Sequence, residues 1–151
     1  MDALNLKKNL EGLYNEINFM IPFQTKWYKV HEQHSANVKA TTRLNPMTTQ
    51  IEVWIIEFHS TPIGRAEESG FIFSTSAIPP TPIYFTNQTI SVFDYSFLID
   101  NPDWQRSLNT HLESIFYDGL KQLMLNYSFI DEKGRTQKLN NSQLVLGTIQ
   151  F

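Results

Sequence analysis

The run Ile51-Glu52-Val53-Trp54-Ile55-Ile56-Glu57-Phe58-His59 constrains the fold more than any other stretch of this chain. β-Branched and aromatic residues dominate it, and these fit an extended strand better than a helix, which restricts their χ1 torsions. In a strand, every second residue from Ile51 to His59, Glu57 included, would share one face. Because both faces are mainly apolar, the pattern predicts the middle strand of a sheet that is covered on both sides.

Two amphipathic helices are predicted, one on each side of the strand-rich region. Residues 3–20 carry apolar residues at helical spacing, and Pro22 is the stop signal. Residues 102–124 form the clearer pattern, with Asn101 as the cap, a proline at the first helical position and a wide apolar stripe. Gly119 falls within that stripe, which predicts a close approach to another backbone there.

The remaining segments predict short strands joined by turns. Residues 60–70 are expected to form a loop, since one proline and two glycines punctuate them, and Asn87-Gln88 is expected to form a turn. The predicted strands are 26–33, 38–44, 71–75, 83–86, 90–98, 127–131 and 144–151, with a turn at 132–135 between the last two. The fold class is therefore α+β: a single domain over residues 1–151, with a mainly antiparallel sheet, an N-terminal helix, a long helix near the C-terminus and a closing hairpin.

Charge and composition exclude several classes of function. The net charge is −3 and no segment is densely basic, so no nucleic-acid partner is expected. The chain has no cysteine, which excludes disulfides and thiolate metal sites. No secretory signal or membrane-spanning run is present, which predicts a cytoplasmic protein or a virion component. No motif for a cofactor is found.

His59, Glu57 and Arg65 are the candidate catalytic residues. His59 is placed where the strand meets the predicted loop, and Glu57 shares its face. A histidine beside a carboxylate can act as a general acid or base. These residues give the alternative hypothesis, a small hydrolase or a domain that binds a small-molecule ligand.

His31 and His34 are the candidate metal ligands, because two histidines three residues apart can chelate a metal from one helical turn. The segment is predicted to be extended, and then the two rings face opposite sides. Two solvated histidines are therefore the preferred interpretation.

A non-catalytic assembly or interaction protein, with self-association or a protein partner, is the leading hypothesis. The chain is rich in aromatic residues, with 11 Phe, 6 Tyr and 3 Trp, and it contains a proline-rich arm. The order helix, sheet, helix, hairpin resembles the layout of small tail-completion and connector proteins of tailed phages, which act as rings. This resemblance implies subunit contacts along Ile78, Pro79, Pro80 and Ile83.

Overall fold

Five antiparallel strands form one curled sheet, in the spatial order β4-β3-β2-β1-β7. The computed structural model describes residues 3–12, 14–27, 30–67, 83–126, 128–130 and 136–151. Its helices and strands are α1 (Ala3–Leu10), β1 (Ile17–Trp27), β2 (Val30–Leu44), β3 (Gln50–Glu67), β4 (Tyr84–Asp94), α2 (Trp104–Leu125), β5 (Ser128–Ile130), β6 (Thr136–Lys138) and β7 (Leu144–Leu146), with a 3₁₀ helix at Tyr95–Leu98. The predicted α+β class is confirmed.

Three register shifts curl the sheet. Against β2, strand β3 carries an extra residue at Ile56 and another at Ile63. Against β3, strand β4 carries an extra residue at Ile90. An extra residue in one strand of an antiparallel pair bends that strand and increases its right-handed twist. The bends let a sheet of only five strands wrap around a helix.

The shift at Ile56 also changes which side chains of β3 face the core. Ile51, Val53 and Ile55 are buried, as are Phe58 and Ser60, whereas Glu57 and His59 are exposed. Strict alternation had placed Phe58 on the opposite face from Ile51. The prediction of a middle strand covered on both sides is wrong in two respects: β2 is the middle strand, and the outer face of β3 is only half-buried at Glu52, Trp54 and Ile56.

Helix α2 lies in the concave side of the sheet. It contacts both edge strands, β4 and β7. Phe116 packs on Phe19 of β1 with ring centroids 4.9 Å apart. A Cβ at Gly119 would lie 2.9 Å from the Cβ of Ile90, so the close approach predicted there is to a side chain of β4 rather than to a backbone. The buried residues of α2 recur every four positions: Leu108, Leu112, Phe116, Leu120 and Met124.

The start of α2 differs slightly from the prediction. The helix begins at Trp104, and Asp103 is the capping position. Asn101 precedes the helix, where its Oδ1 accepts from the backbone N–H of Asp103 and its Nδ2 donates to Ser107 Oγ at 3.0 Å. Asn101 therefore holds the turn that leads into α2 rather than capping the helix directly.

The first helix is less than half as long as predicted: it has 8 residues, whereas residues 3–20 were expected to be helical. α1 ends at Leu10, and Gly12 takes a φ of +76°, a conformation that glycine adopts at low cost. From Ile17 the chain is β1, so Pro22 lies inside a strand. The Pro22 carbonyl accepts from the N–H of Gly147 at 2.7 Å. In an antiparallel strand the nitrogen and the carbonyl of one residue point to the same side, so the proline nitrogen, which has no hydrogen to donate, faces the chain just beyond the end of β7.

Several connections also differ from the prediction. Residues 60–67 continue β3 instead of forming a loop, because their backbone pairs with β2. Residues 84–94 form one strand with no hairpin at Asn87, which keeps a φ of +53° within β4. The strand predicted at 71–75 lies outside the described residues. The predicted final strand is confirmed but is shorter than expected: β7 covers Leu144–Leu146 and pairs with β1, and Gln150 adds an isolated bridge to Met20. β5 pairs with β6 in a separate sheet.

The inward position of Phe58 gives the first prediction. Phe58→Ala should lower the free energy of unfolding by about 3–5 kcal/mol, because the ring is fully buried. His59→Ala should change it by less than about 0.5 kcal/mol, because that side chain is exposed. Urea denaturation measures both variants. Comparable losses for the two neighbours would show that the strand does not shift its faces at Ile56.

Candidate functional site

His59 and Glu57 share the outer face of the sheet, as their spacing predicts. His59 lies inside β3, opposite Asn37 of β2 and Tyr84 of β4. Its ring meets the Tyr84 ring edge-on, with centroids 5.8 Å apart. The expectation that His59 marks the end of the strand is wrong, because β3 continues to Glu67. The histidine therefore stands on an open sheet surface.

Arg65 lies in the same strand, with its backbone opposite Glu32. Six residues separate it from His59 along β3, which corresponds to about 20 Å at the rise of an extended strand. The structure thus brings Glu57 and His59 onto one face and separates their backbones from that of Arg65.

A shallow cleft of about 430 Å³ borders this surface. Glu57 lines it together with Asn37 and Lys39, whereas His59 does not. The Lys39 ammonium lies 3.8 Å from Glu16, and both side chains are about half exposed. Exposed ion pairs of this kind contribute at most about 1 kcal/mol. The cleft is open to water, and apolar side chains, Phe19, Met20, Val38 and Phe151, line it as well as polar ones. The hydrolase or ligand-binding alternative stays a prediction.

His31 and His34 face opposite sides of β2, as expected for a strand. The His31 Nδ1 lies 3.0 Å from the amide nitrogen of Gln24, and His34 is buried in the concave side. The interpretation of two solvated histidines is therefore wrong for His34. Over the described ranges, no group of three or more His, Asp or Glu residues is placed to bind a metal ion.

The buried His34 belongs to a small polar cluster inside the sheet. Its Nε2 lies 3.2 Å from Thr25 Oγ1 and 3.5 Å from Glu32 Oε2, and its ring stacks on Phe23 with centroids 4.7 Å apart. Nδ1 is buried without a hydrogen-bond partner. Because the imidazole and the carboxylate are both at least 95% buried, they are out of reach of a substrate. We therefore assign this cluster a role in core packing and not in catalysis.

The predicted contact residues divide into two groups. Ile78, Pro79 and Pro80 lie outside the described residues. Ile83 is buried, and its backbone exchanges two hydrogen bonds with Ser60: its N–H donates to Ser60 Oγ at 2.7 Å and its carbonyl accepts from Ser60 N–H at 2.9 Å. The exposed apolar side chains of the described residues lie at other positions than Ile83.

Three of these exposed apolar side chains belong to the β2–β3 turn, residues 45–49, and to two elements that hydrogen bonds join to it. Lys7 of α1 donates from Nζ to the carbonyl of Pro46 at 2.7 Å. The N–H of Tyr95 donates to the carbonyl of Thr49 at 2.8 Å, which ties the 3₁₀ helix to the same turn. The three elements carry Leu4, Met47 and Phe97, which are 63%, 89% and 49% exposed; we call this group the turn-end patch.

Asp94 holds the 3₁₀ helix that presents Phe97. Its Oδ1 accepts from the backbone N–H of Ser96 at 2.7 Å. Hydrogen bonds from the side chain and backbone of Ser96 and from the side chain of Thr49 hold the pKa of this carboxyl below its usual range. The sequence alone does not indicate this patch, since each of its residues follows an unremarkable local pattern.

Comparison with known proteins adds nothing to this geometry. Neither a protein-family model, nor a curated protein, nor a solved structure was found to match the chain. Of the helices in the described ranges, none combines the length and apolarity needed to cross a bilayer.

The lowered pKa of Asp94 makes part of the stability depend on pH. A carboxyl whose pKa is lower in the folded state stabilises the fold above its unfolded pKa, near pH 4, and this contribution is lost as the pH falls through the folded pKa. Asp94→Asn should therefore lower stability at pH 6 and flatten the fall in stability below pH 4. Denaturation midpoints from pH 6 to pH 2.5 measure this, with Asp118→Asn, an exposed position on α2, as the control. Identical pH profiles for Asp94→Asn and the wild type would contradict the role given to Asp94.

Proposed function

We propose that this protein is a non-catalytic interaction module that assembles with copies of itself or with a protein partner. The turn-end patch is the observation that carries the proposal. Met47, Leu4 and Phe97 belong to separate elements, and hydrogen bonds tie all three elements to one turn. Large exposed apolar side chains on elements that are fixed to one turn are candidates for a contact surface, and this supports the proposal.

The Phe97 part of the patch is held in place by contacts within the chain. Asp94 fixes the first turn of the 3₁₀ helix through Ser96, and the Phe97 ring packs against the His111 ring of α2 with centroids 5.3 Å apart. A surface that is already in its bound arrangement loses less conformational entropy on binding. Full burial of a Met or Phe side chain contributes roughly 1.5–3 kcal/mol. Two such side chains would contribute about 3–6 kcal/mol, so further contacts around them must supply the rest of the free energy that association requires.

The order of elements supports an assembly role in one further way. Helix, antiparallel strands, helix and closing strand is the layout that resembles small tail-completion and connector proteins of tailed phages. These proteins act as rings and catalyse no reaction. A phage-type structural component is therefore the particular form of assembly protein that we propose, with the turn-end patch as a contact between neighbours.

The proposal predicts that charge in the patch weakens association. Wild-type protein should sediment with a mass that rises with concentration above that of the monomer. Met47→Asp with Phe97→Asp should move this transition to a concentration at least about tenfold higher, because each substitution replaces apolar contact with a solvated carboxylate. Sedimentation velocity across a hundredfold range of concentration measures the shift.

Val145→Asp is the matched control. Val145 is 61% exposed, and it lies opposite Gln24, which pairs with Gln33, about 35 Å along β2 from the turn. This variant should associate like the wild type, and thermal unfolding should show that all variants fold. A wild-type monomer at every concentration, together with no protein recovered in stoichiometric amount on co-purification, would contradict the proposed function.

A further inference from the structure

Among the described strands, β4 is an edge of the sheet. It lies at one end of the order of described strands and is 11 residues long, whereas β7 at the other end has three. Its residues are mostly exposed. An edge strand of this length presents a row of backbone donors and acceptors to which another strand can pair.

The sequence of β4 lacks the features by which most edge strands avoid pairing. From Tyr84 to Phe93 it contains no charged residue and no proline, and the single charge, Asp94, ends the strand. Lysines, prolines and other interruptions normally protect an exposed edge. Two features interrupt this strand: a bulge at Ile90, and Asn87, whose φ of +53° departs from an extended backbone. Tyr84, Phe85 and Thr86 precede both.

The backbone of this edge shows one acceptor that is satisfied locally. The side chain of Gln88 donates from Nε2 to the carbonyl of Thr86 at 3.2 Å. Such a bond to an exposed strand carbonyl is readily exchanged for a bond to a neighbouring strand, since both partners are at the surface. The Gln88 amide would then be free to bond across the new pair.

Helix α2 forms a wall beside the strand. An open groove of about 480 Å³ runs between them, and Thr89 and Ser91 of β4 face Ile115, Asp118 and Leu123 of α2 across it. An edge strand next to a helix is the arrangement into which several interaction domains accept an added strand. The groove therefore has room for the side chains of a strand that pairs with β4.

We propose that the added strand is β4 of a second copy of this chain, paired antiparallel across a twofold axis. In such a pair every residue of the neutral stretch meets another residue of the same stretch, so no like charges oppose each other. A head-to-tail pairing of β4 with β7 would engage only the three residues of the shorter edge. This inference rests on the proposed function and specifies its partner as a second copy.

The absence of cysteine from the chain makes a direct test simple. Single-cysteine variants at Thr86, Gln88, Thr89 and Val92 are oxidised in the full-length protein and examined on non-reducing gels. Only residues at the twofold axis lie opposite themselves, within the 4.4–6.8 Å between Cα atoms that a disulfide allows. One position, or two neighbouring ones, should form dimers in more than about half of the chains. Thr110→Cys, exposed on α2, is the control.

A second variant tests the same pair without a disulfide. Gln88→Lys places a positive charge on each copy at the shared edge, so sedimentation should show association weakened at least about tenfold. Thr110→Lys should have no effect. Two results together would overturn the β4 pairing. The four cysteine variants would give no more dimer than the control, and Gln88→Lys would associate like the wild type.

The two proposals fail in different ways. In the first case the wild type associates, the Met47→Asp/Phe97→Asp variant loses association, and the β4 variants keep it. The β4 pairing is then wrong, and the proposed function stands. If the wild type is monomeric and recovers no partner, both are wrong. If the cysteines cross-link but the patch variants associate normally, the pairing stands and the role of the turn-end patch is wrong.

Discussion

The packing of α2 against the concave side of the sheet is the interaction on which the rest of this structure depends. A flat sheet would offer the helix only one or two strands, yet α2 contacts both edges of this one. The extra residues at Ile56, Ile63 and Ile90 supply the curvature. They also decide which side chains enter the core, because each insertion reverses the alternation that follows it.

Some of this fold could be predicted from the sequence because its signals are local. Asn101 and the four-residue spacing of the leucines define α2 to within two residues of its observed bounds. The apolar run from Ile51 identifies an interior strand. By contrast, the helix predicted over residues 3–20 ends early. Ile17 continues the helical spacing of Leu6, Leu10 and Tyr14, but it also begins the strand alternation of Ile17, Phe19 and Ile21, and pairing with β2 decides between the two.

The candidate sites were harder to predict, since they depend on contacts between distant parts of the chain. A bulge leaves no composition signal, so nothing in the sequence shows that Phe58 turns inward and His59 outward. His34 resembles a solvated histidine until its neighbours Thr25 and Glu32 are brought together by the β1–β2 pairing. The turn-end patch exists only because Lys7 and Tyr95 bond to the same turn.

The contact between Phe19 and Phe116 tests the central claim most directly, because it joins β1 to the helix inside the curled sheet. A double-mutant cycle with Phe19→Leu and Phe116→Leu, measured by urea denaturation, isolates the energy of this pair. The account predicts a favourable coupling of about 0.5–1.5 kcal/mol, as found for packed aromatic pairs. Two substitutions whose effects simply add, to within about 0.3 kcal/mol, would show that the helix does not lie against β1 in the concave side of the sheet.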